Sequence, residues 1–300
     1  MRRATGVIAA GAAVMAAAWL GACGDTGRSA AQGTRAAAGC VPPRAGDHVL
    51  AIEQGRAGVL LHVPPHARAG APLVLGLAGA SQTGAGFAQA TGYSRLADRK
   101  GFFVVYPTAA GSRPFWNVSG HVPGKPDDVA YLRGVIAAAT RAVCGNPSKV
   151  GVTGVSNGGG MTARLACEAA DVVSAAAPVA GGYSTLPECR PSRPVPLLEV
   201  HGTDDRIVPY AGKGPAKAGS VPALLAQWRR LNGCTRRAAR RTPQRLITEL
   251  VWRGCSAGSV VAHVRVTDAE HGWPGEDDVD GSRGFSTTRR TWAFLSSFSR

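Results

Sequence analysis

From Pro72 onward the chain alternates short apolar runs with amphipathic stretches of 12 to 18 residues. The runs are Pro72–Leu77, Phe102–Tyr106, Val150–Thr153, Val172–Ala177, Val195–Val200, Leu246–Trp252 and Val260–Val266. Between and after them lie Gly86–Lys100, Pro126–Val143, Asn157–Ala170, Val221–Asn232 and Ser286–Phe298, each with apolar residues at helical spacing. Strands that are apolar throughout must be buried on both faces. Helices that follow them provide the cover, so the pattern demands an α/β fold with a mostly parallel sheet between two helix layers. Two earlier runs, His48–Glu53 and Gly58–Val63, are split by Gln54-Gly55-Arg56 and read as an antiparallel N-terminal hairpin. No internal repeat or composition break interrupts residues 40–300, which are expected to form one α/β domain.

The start of the chain has a different character. Met1-Arg2-Arg3 precedes an Ala-rich apolar stretch, Val7–Leu20, that ends in Gly21-Ala22-Cys23. The stretch is too short to span a bilayer and ends in small residues, so residues 1–22 read as an export signal. Small residues directly before a cysteine resemble the bacterial lipoprotein box, which makes Cys23 the expected lipidation site. Residues 23–39 are small and polar and read as the lipidated cysteine with a flexible tether. The expected location is the outer side of the bacterial cell membrane, or the exterior. Setting Cys23 aside leaves Cys40, Cys144, Cys167, Cys189, Cys234 and Cys255. An even number in an exported chain reads as disulfides. The expected pairs are Cys40–Cys144, Cys167–Cys189 and Cys234–Cys255, the last bracketing a short hairpin-sized segment. No cysteine pair has zinc-knuckle spacing, so no structural metal is expected.

The net charge is +15, and 29 of the 34 basic residues are arginine. Such a balance raises nucleic acid as a partner. The arginines are spread along the chain, however, except for Arg236-Arg237-Ala238-Ala239-Arg240-Arg241, expected in a surface loop. Export removes the usual nucleic-acid partner, and none is expected.

Chemistry enters at Gly154-Val155-Ser156-Asn157-Gly158, between a strand and a helix. Ser156 there sits on a sharp turn above the carboxyl end of a sheet, with a helix amino terminus beneath it. No Lys-Ser or Lys-Thr follows the glycines, so a phosphate loop is a poor match. A serine nucleophile needs a histidine base and an acid that orients it. His201, His263 and His271 follow in the chain. His271 alone lies in a loop just past a strand, and His263 lies within a run as a structural or partly exposed residue. The turn after Val200 offers Asp204 and Asp205, which composition does not separate.

Three motifs now stand in order: Gly154-x-Ser156-x-Gly158-Gly159, His201-Gly202-Thr203-x-Asp205-x-x-Val208-Pro209-Tyr210, and His271-x-Trp273-Pro274-Gly275. Together they resemble the polyhydroxybutyrate-depolymerase-type esterases, a group of secreted α/β-hydrolases that includes feruloyl and acetylxylan esterases. The resemblance runs from about Asp47 to Phe298. It implies Ser156 as nucleophile, Asp205 as acid and His271 as base. The family's His-Gly-x-x-Gln segment corresponds to Ala78-Gly79-Ala80-Ser81-Gln82, with Ala78 in place of the histidine. That correspondence implies an oxyanion hole from the backbone N–H groups of Ala80 and Asn157, with Gln82 at the substrate. Phe115-Trp116-Asn117 resembles the family's aromatic segment beside the cleft, which implies Trp116 at the substrate, with simple core packing as the alternative. Trp273 and Tyr210 are expected mainly as packing residues. The expected reaction is ester hydrolysis through an acyl-enzyme, with no metal or cofactor, on a small or oligomeric ester of feruloyl, acetyl or polyhydroxyalkanoate type. A serine peptidase of the same fold and an inactive envelope-binding protein are the competing classes. Oligomeric state is not legible.

Overall fold

The computed structural model describes residues 40–300 apart from 53–55, 57, 120–122, 184–188, 217 and 276–283. The export signal, Cys23, the tether and most of the Gln54-Gly55-Arg56 turn lie outside the described residues. A hairpin of β1 (Gly46–Leu50) and β2 (Val59–Val63) comes first, followed by β3 (Leu73–Leu77). Helices α1 (Gly84–Thr91) and α2 (Tyr93–Lys100) lead to β4 (Phe103–Tyr106). Then come α3 (Asp128–Ala142), β5 (Val150–Val155), α4 (Asn157–Glu168), β6 (Ala175–Val179) and β7 (Leu197–Gly202). The chain closes with α5 (Val221–Leu231), β8 (Ala239–Gln244), β9 (Ile247–Trp252), β10 (Val261–Val266) and α6 (Thr287–Leu295).

The strands form one sheet in the order β1-β2-β4-β3-β5-β6-β7-β10-β9-β8. Its centre, from β4 through β10, is parallel, and both edges are antiparallel. Side chains alternate across the central strands: Leu73, Leu75 and Leu77 enter one core, and Val74 enters the other. Helices α3, α4 and α5 cover the first core, and α1, α2 and α6 cover the second. This is the α/β-hydrolase arrangement. Four helices start on a side-chain cap, from Thr83, Asp127, Ser220 and Ser286. Each such cap is worth about 1 kcal/mol. Three disulfides join Cys40 to Cys144, Cys167 to Cys189 and Cys234 to Cys255.

Several elements depart from the sequence expectation. The helix expected over Gly86–Lys100 is two helices, because Gly92 takes φ 63° and ends the first. The strand expected at Val172–Ala177 begins only at Ala175. The N–H groups of Val172 and Val173 turn back to the Ala169 carbonyl and continue the helix end. The arginine cluster is not all loop, since Ala239, Arg240 and Arg241 belong to edge strand β8, paired antiparallel to β9. Antiparallel pairing therefore returns at the carboxyl-terminal edge instead of ending with the first hairpin. Every residue of β8 is exposed, and it carries two arginines and a proline. Repelling charge and a missing N–H are what keep an open edge from pairing with another sheet.

Candidate active site

The turn between β5 and α4 sets the geometry. Ser156 has φ 58° and ψ −121°, a conformation rarely taken by a residue with a side chain. The flanking glycines make the turn possible. A Cβ on Gly158 would lie 2.2 Å from the Leu77 carbonyl oxygen, and one on Gly154 would lie 2.6 Å from the Gly158 oxygen. The turn is pinned by the Ser156 N–H, which donates to Val179 O at 3.0 Å. Ser156 occupies the N-cap position of α4, where a serine normally accepts from the helix N–H groups. Here its side chain makes no capping bond. The Oγ instead donates to His271 Nε2 at 3.0 Å.

His271 lies in the loop that leaves β10. Its Nδ1–H donates to Asp205 Oδ2 at 2.7 Å. Asp205 follows β7, and its Oδ1 accepts from the backbone N–H groups of Ile207 (3.0 Å) and Val208 (2.7 Å). Burial alone would raise the Asp205 pKa, but hydrogen bonds from His201, His271 and Val208 outweigh it. They hold the carboxyl well below the usual range. Asp204 is exposed and lies 3.5 Å from Arg206, so the structure separates the two aspartates that composition could not.

A cavity of about 280 Å³ opens beside Ser156 and His271, lined among others by Gly79, Ala80, Gln82, Phe87 and Trp273. Ala80 lies in the turn after β3. Asn157 opens α4, so its N–H is among those with no acceptor inside the helix. Gln82 borders the cavity, as does Trp273, which also packs edge-on to Phe87 and donates from Nε1 to Thr288 Oγ1.

Trp116 at the substrate requires a correction in favour of its alternative, core packing: its side chain is 1% exposed and sits in the core against Tyr131. Its Nε1–H donates to Ala78 O at 3.0 Å. Its backbone N–H donates to Asn157 Oδ1, and its carbonyl accepts from Asn157 Nδ2. The Ser81 N–H donates to Pro114 O nearby. Residues 114–116 therefore tie the turn after β3 to the first residue of α4. Trp116 holds the two backbone segments in place from within the core. The sequence signal for this was an aromatic residue next to Asn117, which reads equally well as a cleft wall. His263 is buried rather than partly exposed, and His201 is buried beside it.

Residues 57–185 match the family described as Esterase PHB depolymerase. Feruloyl esterase B of Piromyces equi is 30% identical over 200 residues, covering 61% of this chain and 34% of that protein. A bifunctional acetylxylan esterase/xylanase of Neocallimastix patriciarum is 28% identical over 234 residues, covering 76% of this chain and 32% of that protein. The chain thus spans about a third of the length of these two relatives. Among solved structures, an acetyl xylan esterase from Aspergillus awamori superposes with a TM-score of 0.57 at 19% identity, over 74% of this chain and 92% of that one, a likeness of fold. With the strand–serine–helix turn and the order of strands around it, the match over residues 57–185 makes this part of the chain similar to the PHB-depolymerase-type esterase family.

Proposed function

We propose that the protein is a serine carboxylic-ester hydrolase acting through Ser156, His271 and Asp205. The observation that carries this reading is the unbroken relay at the cavity mouth. Asp205 Oδ2 is 2.7 Å from His271 Nδ1, and His271 Nε2 is 3.0 Å from Ser156 Oγ. As Ser156 Oγ attacks the ester carbonyl carbon, its proton passes to His271 Nε2. The carbonyl oxygen becomes an oxyanion, held by the N–H groups of Ala80 and Asn157. Collapse breaks the bond to the alcohol oxygen, which leaves with the proton from His271. Water then attacks the acyl-enzyme by the same route and frees Ser156. Asp205 fixes the imidazole tautomer and stabilises its charged form throughout.

The cavity size and its Phe87 and Trp273 walls fit a short acyl group or a single ring. The names of the relatives supply the ester classes to try: feruloyl, acetylxylan and polyhydroxyalkanoate. A fluorophosphonate should attach once, on the peptide containing Ser156, and hydrolysis of p-nitrophenyl acetate should fall in proportion to labelling by mass spectrometry. Full labelling with intact hydrolysis would overturn the assignment. Methyl ferulate, acetylated xylo-oligomers and 3-hydroxybutyrate oligomers, run side by side, then rank the substrate classes.

Three disulfides suit an oxidising compartment. We further propose export with lipidation at Cys23, supported by the sequence around it. Cys23→Ser should move the protein from the membrane pellet to the medium. An unchanged distribution argues against the anchor.

A further inference from the structure

Behind Asp205 lies a buried group of ionisable side chains that take no direct part in ester hydrolysis. Glu199 and His201 project from one face of β7, and both are fully buried. His201 Nδ1 is 2.8 Å from Glu199 Oε1. On the other side of the ring, Nε2 is 2.9 Å from Val208 O and 3.2 Å from Asp205 Oδ2. We infer that His201 is a positioning residue of this site, a permanently charged imidazolium clamped between Glu199 and Asp205. It fixes Asp205 as an anion and offsets part of its charge toward His271. The inference rests on the assignment of Asp205 and His271 above.

The hydrogen-bond geometry decides the protonation state. Both ring nitrogens of His201 face acceptors only: a carboxylate on one side, a carbonyl and a carboxylate on the other. A neutral imidazole has one bare nitrogen. Either tautomer would aim that lone pair at an oxygen in the interior, an unsatisfied buried contact. The doubly protonated ring satisfies every neighbour. Glu199 is surrounded in the complementary sense. Its Oε1 accepts from the Tyr183 hydroxyl at 2.9 Å as well as from His201, and its Oε2 lies 2.7 Å from His263 Nδ1. Tyr183 keeps its proton, because burial and the nearby Glu199 push its pKa well up. His263 Nε2 is 2.9 Å from the Tyr210 hydroxyl. Electrostatics agrees in direction. Burial works against the charge on His201, but Glu199 and Asp205 overcome it and raise the group to about 10. Burial likewise opposes ionisation of Glu199, and His201 brings it down to about 2.

Helix α5, packed on β7 and β10, turns Val221, Leu224, Leu225 and Trp228 inward, all apolar. Strand β10 contributes His263 and Arg265, the latter in register with His201. Two carboxylates and one imidazolium leave the Glu199–His201–Asp205 row with one net negative charge. That matches the single positive charge that forms on His271 as Ser156 attacks. With a neutral His201 the row would carry two negative charges against that one. His201 therefore keeps the charge beside His271 matched to the one that forms in the reaction.

Nitrogen-15 NMR of the imidazoles, assigned with His201→Gln, tests the charge directly on the wild-type protein. Both His201 ring nitrogens should carry protons from pH 5 to pH 9, and Glu199→Gln should bring loss of one proton into that range. A His201 ring with one N–H at pH 7 overturns the inference. Activity gives the second arm. His201 Nε2 and His271 Nδ1 lie 3.2 and 2.7 Å from the same Asp205 oxygen, so removing the His201 charge leaves the protonated form of His271 facing more uncompensated negative charge. His201→Gln should therefore move the acid limb of kcat/KM upward by about one to two pH units at an effective dielectric near 20. A variant that was merely less stable would lose rate without moving that limb, and an unmoved limb in a folded His201→Gln overturns the role. If Ser156 proved dispensable, the hydrolase reading would fail. The NMR result on His201 would still stand, so the two failures can be told apart.

Discussion

Ser156→Ala lowers kcat on p-nitrophenyl esters by about 10^5- to 10^6-fold, the loss expected when a triad nucleophile is removed. Activity does not reach zero, because the Ala80 and Asn157 N–H groups and the cavity remain. Such remnants supply about 10^3- to 10^4-fold over water. Stability should move by no more than about 0.5 kcal/mol, the range for changes that disturb no structural role. The reason is local: the Ser156 side chain does not cap α4, and its one partner is His271. Backbone strain at φ 58° is shared by serine and alanine alike. Stopped assays with purified protein and a thermal melt check both halves. Retention of more than a hundredth of the wild-type rate removes Ser156 from the mechanism.

Asp205→Asn is expected to lower kcat by about 10^4-fold, the size seen when the orienting acid becomes an amide. In this protein the change should also destabilise the fold. The carboxylate of Asp205 faces donors on every side: the N–H groups of Ile207 and Val208, His271 Nδ1 and His201 Nε2. An amide must aim its NH2 at one pair of them. Turned toward the backbone it meets two N–H groups. Turned the other way it meets the charged His201 ring and forces the wrong tautomer on His271. Breaking a buried charge pair in this way costs about 3–5 kcal/mol. A urea melt and a single-turnover assay separate the two effects. Full stability in Asp205→Asn would mean that the pocket around Asp205 can reorient, and the charged row from Glu199 to Asp205 would lose its rigidity.

The sequence was most informative where one residue type answers one physical demand. Apolar runs mark strands buried on both faces, and Leu73, Val74 and Leu75 are buried on both sides of the sheet. Gly154 and Gly158 flag the serine turn because no Cβ fits at either position. It was least informative where a residue type serves two demands equally well. An indole such as Trp116 can line a cleft or fill a core, and only its Nε1–H bond to Ala78 O and its burial separate the two. Ala239–Gln244 has no apolar alternation, since an edge strand exposed on every residue needs none, so its pairing to β9 was invisible. The role of Glu199 was missed for a related reason. One acid inside an apolar run, Leu197–Val200, gives no hint that its strand neighbour His201 is joined on it by His263 and Tyr183 from elsewhere in the chain.

The Cys40–Cys144 bridge has an orienting consequence. Cys144 lies at the amino ends of β3 and β5, where its carbonyl accepts from the Gly70 N–H. Ser156 stands past the carboxyl end of β5, a strand of six residues and so about 20 Å long. Cys40 is thus bound at the pole of the described fold opposite Ser156. A preparation coupled to a bead at Cys144's end of the fold would hold the Ser156 turn on the side away from the bead.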